Sequence, residues 1–185
     1  MVDWDARYRE GGYDKGSEPH GLLKRFEPFI PEGVVIDIAA GSGRDDRFLA
    51  RKGHFVCGLD SSQEALKIAR ARSVAEGLEV SLVAGDALSL PFKRNSAAAV
   101  TVFHFLERKI MGEIVDLLGK GGILIYETFL KRQNVIDRWR NPDYLLDDGE
   151  LLSYFGALDL LFYQETVTSS EGKRRAIAQY AGRKK

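Results

Sequence analysis

Short runs of β-branched residues that stop at acids or glycines, separated by stretches of helical period, leave this chain few possible folds. Val34-Val35-Ile36-Asp37-Ile38 reads as a buried strand that runs into Gly41-Ser42-Gly43 and then a helix reaching Lys52. Gly53 ends that helix, residues 54–59 form the next strand, and Asp60-Ser61-Ser62 opens a second helix. Ser61 followed by Glu64 predicts a capping box there. Residues 79–84, 97–105 and 123–128 predict three further strands, with a helix over 110–118 before the last. This order predicts a parallel sheet covered on both faces. Beyond it, a short helix over 151–155 precedes strands at 158–166 and 174–180, joined by Ser169-Ser170-Glu171-Gly172. A turn that short joins only antiparallel neighbours. The expectation is an α/β fold, a doubly wound, mostly parallel sheet with one antiparallel strand near its edge.

At 185 residues, 44% of them hydrophobic, the chain suits one domain with a sizeable core. Lys plus Arg (27) balances Asp plus Glu (27), so no overall field draws a polyanion, which argues against nucleic acid as a partner. The single cysteine, Cys57, allows no internal disulfide and no cysteine-based zinc site, and its apolar neighbours predict a small buried side chain. No basic stretch leads into an apolar segment at the start, and no run approaches the ~20 apolar residues of a membrane span. The expectation is a cytoplasmic protein without membrane contact. Residues 1–20, with Trp4, Tyr8 and Tyr13, read as a flap over a site. Residues 33–130 read as the ligand-binding half, and 131–185 as the acceptor side with a C-terminal hairpin.

In an open parallel sheet, ligands sit beyond the carboxyl ends of the strands, where the strand order reverses. Asp37 with Gly41 and Gly43, then Asp60, Asp86 and Phe103-His104-Phe105, occupy the ends of the first four strands. The two glycines let the backbone turn tightly beside a ligand. Asp60 is placed to accept hydrogen bonds from both hydroxyls of a ribose. The third glycine of a dinucleotide loop is missing, since Arg44, Asp45 and Asp46 follow Gly43. Three carboxylates at 37, 45 and 46 crowd the turn, and repulsion on the order of 1 kcal/mol each disfavours a diphosphate. An adenosine with a cationic tail suits the turn better, and S-adenosyl-L-methionine (SAM) carries an ammonium and a sulfonium. Asp37 either orients the glycine loop or meets that ammonium.

On these residues the chain resembles class I SAM-dependent methyltransferases. Val35-Ile36-Asp37-Ile38-Ala39-Ala40-Gly41-Ser42-Gly43 is similar to their first motif, acid-x-Gly-x-Gly-x-Gly, with Ala39 where the first glycine is usual. Gly58-Leu59-Asp60-Ser61-Ser62 resembles the ribose motif and Gly85-Asp86-Ala87 the adenine motif. Trp4-Asp5-Ala6-Arg7-Tyr8, Gly16-Ser17-Glu18-Pro19-His20 and Val102-Phe103-His104-Phe105-Leu106 resemble the small bacterial tellurite-resistance and thiopurine methyltransferase-like branch. The resemblance implies a single-domain Rossmann-like fold with seven strands, the last antiparallel. It implies Asp60 and Ser61 at the ribose, Asp86 accepting from the adenine amino group, and the Ala87 backbone against the ring. It also implies that the flap closes over the cofactor through Tyr13, with Trp4 and Tyr8. Asp37, Ala39, Gly41 and Gly43 complete the cofactor set, while Phe103 and Tyr13 offer aromatic faces to the sulfonium. Asp46 stands where a small or polar residue is usual.

The activity implied is methyl transfer to a small-molecule nucleophile by in-line displacement, with S-adenosyl-L-homocysteine as product and no metal. A nicotinamide-dependent, NAD(P)-binding oxidoreductase and a non-catalytic binder of SAM or its product are the rival readings. His104 is the candidate general base; the alternative is a histidine packed near Phe103 and Phe105, on the opposite face from both by strand alternation. His20 and His54 read as structural or surface residues, and the histidine spacing suggests no metal site. Glu127, Thr128 and Phe129 either border the acceptor pocket or are ordinary core. Trp139 reads as a lid or a dimer contact, and the chain as a monomer or homodimer.

Overall fold

The computed structural model describes residues 2–11, 18–137, 140–170 and 173–185. It opens on a helix that the sequence pattern did not announce, α1 (Trp4–Arg9), capped by Asp3, whose carboxylate accepts from Ala6 N at 2.9 Å. Next come α2 (Gly21–Phe26), β1 (Val34–Ile38), α3 (Arg44–Arg51), β2 (Phe55–Asp60), α4 (Gln63–Ala75) and β3 (Ser81–Ala84). β4 (Ala97–Phe103), α5 (Met111–Leu117), β5 (Leu118–Phe129) and α6 (Gln133–Ile136) follow. The chain ends with α7 (Glu150–Tyr154), β6 (Asp159–Ser170) and β7 (Lys173–Arg183).

The strands form one seven-stranded sheet in the order β3-β2-β1-β4-β5-β7-β6. β1 to β5 pair in parallel, and β7 runs antiparallel to both β5 and β6, so it is the reversed strand. The α/β architecture expected from the sequence is therefore present. The final hairpin is longer than expected, with a ladder that closes at Ser170 opposite Lys173; Glu171 and Gly172 of the expected turn lie outside the described residues. Strand order reverses between β1 and β4, which places the switch point at the carboxyl ends of those two strands.

Alternation along β1 divides the core in two. Ile36 and Ile38 join Tyr126, Ile114 and Phe155 on one side of the sheet, while Val35 joins Leu23, Phe26 and Leu49 on the other. Burying each such side chain contributes roughly 1.5–3 kcal/mol. Among the described residues no helix is long and apolar enough to cross a membrane. Cys57 is half-buried rather than enclosed, and burial pushes its thiol pKa up.

Two local expectations change. The cap of α4 is Ser62, not Ser61: its hydroxyl accepts from Ala65 N at 3.1 Å. Glu64 does not complete a capping box. Asp5 on α1 takes that place, accepting from Ser62 Oγ at 2.7 Å and from Glu64 N at 3.1 Å. The second change lies at the end of β4, where His104 has φ of 56°, in the left-handed region. The strand therefore stops at Phe103, alternation fails, and Phe105 packs on the opposite side of the sheet from Phe103.

Candidate active site

The loop after β1 is shaped from several sides. Gly41 and Gly43 have φ of 57° and 69°, as glycine allows. Gly41 N donates to Asp60 Oδ2 at 2.8 Å, and Ala40 N donates to Leu59 O at 3.0 Å, which binds the loop to the end of β2. Arg47, 1% exposed, donates through Nη1 to Ser42 O and Gly43 O at 2.9 and 3.0 Å. Tyr8 of α1 is buried over the loop, its hydroxyl 2.5 Å from where a Cβ on Gly41 would stand. Part of the expected flap thus lies on the glycine turn. Tyr13 lies outside the described residues, as does Trp139.

Ala39 adopts φ of 60°, a conformation that costs a residue with a Cβ about 1 kcal/mol or more. Replacing Ala39 with Gly is expected to raise the melting temperature by about 1–2 °C, after allowing for glycine's greater freedom in the unfolded chain. Thermal unfolding of the two proteins side by side measures this.

The carboxylates of the turn converge as expected, but not as three free charges. Asp45 is 5% exposed and accepts from His20 N at 2.9 Å, with His20 Nδ1 at 2.6 Å from its other oxygen. Burial would raise its pKa; the His20 charge and hydrogen bond, then Arg44, outweigh burial and hold it below the usual range. Asp37 and Asp46 are both buried and act on each other electrostatically, and Asp37 Oδ1 accepts from Thr101 Oγ1 at 2.6 Å. Desolvation, then the neighbouring acids, push Asp37 well above the ordinary carboxylate range. Desolvation lifts Asp46 to about 7. Gly58 makes room for this group, since a Cβ there would stand 2.5 Å from Asp46 Oδ2.

A pair raised in the folded state holds a proton that the unfolded chain releases, so its stabilisation is complete at acidic pH and is lost as pH climbs to about 7. Asp46→Asn keeps the shape and removes the titration. Its melting temperature is expected to exceed that of the unsubstituted protein at pH 8, with the gap narrowing at pH 5. An equal gap at both would separate Asp46 from the pH dependence.

Asp60 ends β2 half-buried, with one oxygen on Gly41 N and the other accepting from Ser62 N at 2.8 Å. Burial raises its pKa against these backbone hydrogen bonds. A carboxylate has about four acceptor positions, so two remain for hydroxyl groups. Ser61 beside it is exposed. Asp86 is exposed after β3 and accepts from Leu88 N at 2.9 Å, an Asx turn that sets its side chain, and Ala87 rests against the core.

At the ends of β4 and β5 the structure assembles a group that spacing did not reveal. His20, His104 and Glu127 bring one ligand-type atom each within 4.8 Å of one another. His20 stacks on Phe103 at 4.0 Å between ring centres and meets His104 edge-on at 4.8 Å. Phe103 is buried with one face covered by His20, which leaves only its other face for a ligand. His104 stacks on Phe129 at 4.7 Å, and its Nε2 lies 3.4 Å from Glu127 Oε1. Gln179 Nε2 donates to Glu127 Oε2 at 2.7 Å. Burial alone would raise Glu127; the His104 ring beside it and the hydrogen bond from Gln179, with His20 nearby, hold it below the usual range. His54 is structural as expected, bound through Nε2 to Glu27 at 2.8 Å. His20 was not recognised, because the contacts that matter join it to elements far along the chain.

Comparison with known proteins bears on the fold that carries these residues. Residues 35–122 match the family described as Methyltransferase domain. A demethylmenaquinone methyltransferase from Thermus thermophilus is 36% identical over 102 residues, covering 51% of this chain and 46% of the relative. The chain thus spans less than half the length of that curated relative. TehB from Haemophilus influenzae superposes with a TM-score of 0.77 at 18% identity, over 97% of this chain and 66% of TehB. A structure described for the conversion of a disulfide bond into a thioacetal group during echinomycin biosynthesis gives 0.77 at 20% identity, over 98% and 91%. Residues 35–122 are therefore similar to a methyltransferase domain, and the chain as a whole shares its fold with TehB.

Proposed function

We propose that this protein transfers the methyl group of SAM to a small-molecule nucleophile by in-line displacement, releasing S-adenosyl-L-homocysteine. The observation that carries the reading is Asp60: a half-buried carboxylate at the end of β2, tied to the glycine loop and keeping acceptor capacity for two ribose hydroxyls. Asp60 with the neighbouring Ser61 would hold the ribose, and Asp86 with the Ala87 backbone the adenine. Asp37, Ala39, Gly41 and Gly43 would line the methionine end, with Phe103 and Tyr13 toward the sulfonium. Bound SAM supplies an electrophilic methyl on a cationic sulfur. The protein's part is to hold donor and acceptor in line and to exclude water.

In this reading residues 1–20 form the cover, 33–130 the SAM-binding half and 131–185 the acceptor side. The family match over 35–122 falls within the second of these. The acceptor is a small molecule rather than a nucleic acid, in keeping with the balanced charge of 27 basic and 27 acidic residues. The protein acts in the cytoplasm, as a monomer or homodimer.

Calorimetric titration with SAM, S-adenosyl-L-homocysteine and NADH tests the assignment. Saturable SAM binding without an NADH signal is expected, and the reverse pattern would hand the site to an oxidoreductase.

A further inference from the structure

Resting on that reading, we propose that Arg140 recognises the methyl acceptor, and that the acceptor is a small monoanion whose carboxylate sits against the Arg140 guanidinium. In that reading SAM lies over the ends of β1, β2 and β3, through Asp37, Asp60 and Asp86. The ends of β4 and β5 are what remains of the same edge of the sheet for the acceptor. Phe129 closes β5 there, buried, with its ring stacked against His104 at 4.7 Å. Arg140 lies on the Phe129 ring, its Cζ 4.5 Å from the ring centre.

What sets Arg140 apart is an unmatched charge. The same stretch of chain holds Lys131 on Asp147 at 2.7 Å, and Arg132 on Asp148 and Glu165 at 3.3 and 2.9 Å. Among the described residues no carboxylate reaches Arg140, and its Nε is buried with no hydrogen-bond partner. An N–H withheld from water without an acceptor is costly, and native proteins seldom keep one without a use. The Phe129 ring attracts the charge but supplies no oxygen to the donors. The chain nonetheless fixes this residue in place. Asn134 brackets its backbone, with Oδ1 accepting from Arg140 N at 2.8 Å and Nδ2 donating to Arg140 O at 2.9 Å. Arg140 as a whole is only half-buried, so a ligand can reach the rest of the guanidinium. A cation held on an aromatic ring, with donors to spare and no acid beside it, is built for an anionic ligand.

The neighbouring charges set the class of anion. Glu127, two residues before Phe129, is buried and held ionised by the His104 ring and Gln179. Asp45, beyond His20, is likewise held ionised. With two carboxylates nearby, one uncommitted guanidinium favours a single negative charge over the two of a phosphate. A carboxylate also matches the guanidinium fork with two parallel hydrogen bonds. The rings of Phe103, His104 and Phe129 wall this corner, so an aromatic carboxylate is the probe that suits it.

The test uses the full chain saturated with S-adenosyl-L-homocysteine and titrated calorimetrically with 4-hydroxybenzoate and 4-hydroxybenzamide. The two probes share a ring and nearly a size, and differ in charge. The carboxylate is expected to bind about 10- to 100-fold more tightly, the span for hydrogen bonds to a charged group. Arg140→Met should bring the two probes within about twofold of each other. Arg140→Lys keeps the charge but loses the fork, and should show an intermediate preference. Added salt should weaken the carboxylate and spare the amide in the unsubstituted protein, a measurement that needs no variant to fold.

Equal binding of the two probes by the unsubstituted protein, or binding of neither, would overturn the proposal. So would a carboxylate preference that survives in folded Arg140→Met. An equal loss for both probes, with a lowered melting temperature, would reduce Arg140 to a packing role on Phe129. Absence of S-adenosyl-L-homocysteine binding would instead remove the proposed function on which the inference rests.

Discussion

Arg47→Met is expected to destabilise the fold by about 2–4 kcal/mol, the range for removing one partner of a buried charged network. For a chain of this length that lowers the melting temperature by roughly 5–15 °C. Met fills much of the volume, so the loss isolates the polar work of the guanidinium. Arg47 is the largest of the fully buried side chains, and it holds the carbonyls of Ser42 and Gly43 while its Nε lies 3.1 Å from Glu76 Oε1. Without it those carbonyls face a protein interior with one donor fewer, and, among the described residues, Glu76 is left with Arg51 as its ion-pair partner. The same change should weaken SAM binding, because the carbonyls belong to the turn that would face the cofactor. A melting temperature within about 2 °C of the parent, the shift of an effect of 1 kcal/mol or less, would show the cluster to be dispensable.

Asp60→Ala is expected to weaken SAM binding by about 1.5–3 kcal/mol, or roughly 10- to 150-fold in the dissociation constant. Two losses combine: the acceptors for the ribose hydroxyls, and the restraint on Gly41 N that gives the loop its shape. Calorimetry and thermal unfolding on the same sample tell them apart. Lower stability with unchanged affinity would make Asp60 only a clamp between β2 and the loop.

Much of the site's frame was legible because its signals are local. The β-branched run 34–38, the Gly41-Ser42-Gly43 turn and the acids at 60 and 86 are read from neighbours in sequence, and the structure puts each at a strand end. The reversed strand was legible for a similar reason, since a short turn dictates antiparallel pairing. Alternation at 103–105 misled because it assumes an unbroken strand, and the left-handed backbone at His104 breaks it. The cap of α4 misled because half of it, Asp5, comes from another helix.

By itself, then, the sequence determined the order of the strands and of four of the helices, the Gly41-Ser42-Gly43 turn and the acids at the ends of the strands, since periodicity and turn chemistry act between near neighbours. Only the tertiary structure decided that Asp37 and Asp46 share a buried site, that Asp45 is matched by His20, and that His104 faces Glu127. The physical reason is that the charge state of a buried group follows from its desolvation and from the partners that other elements bring to it, and those partners meet only when the sheet and its helices close around them.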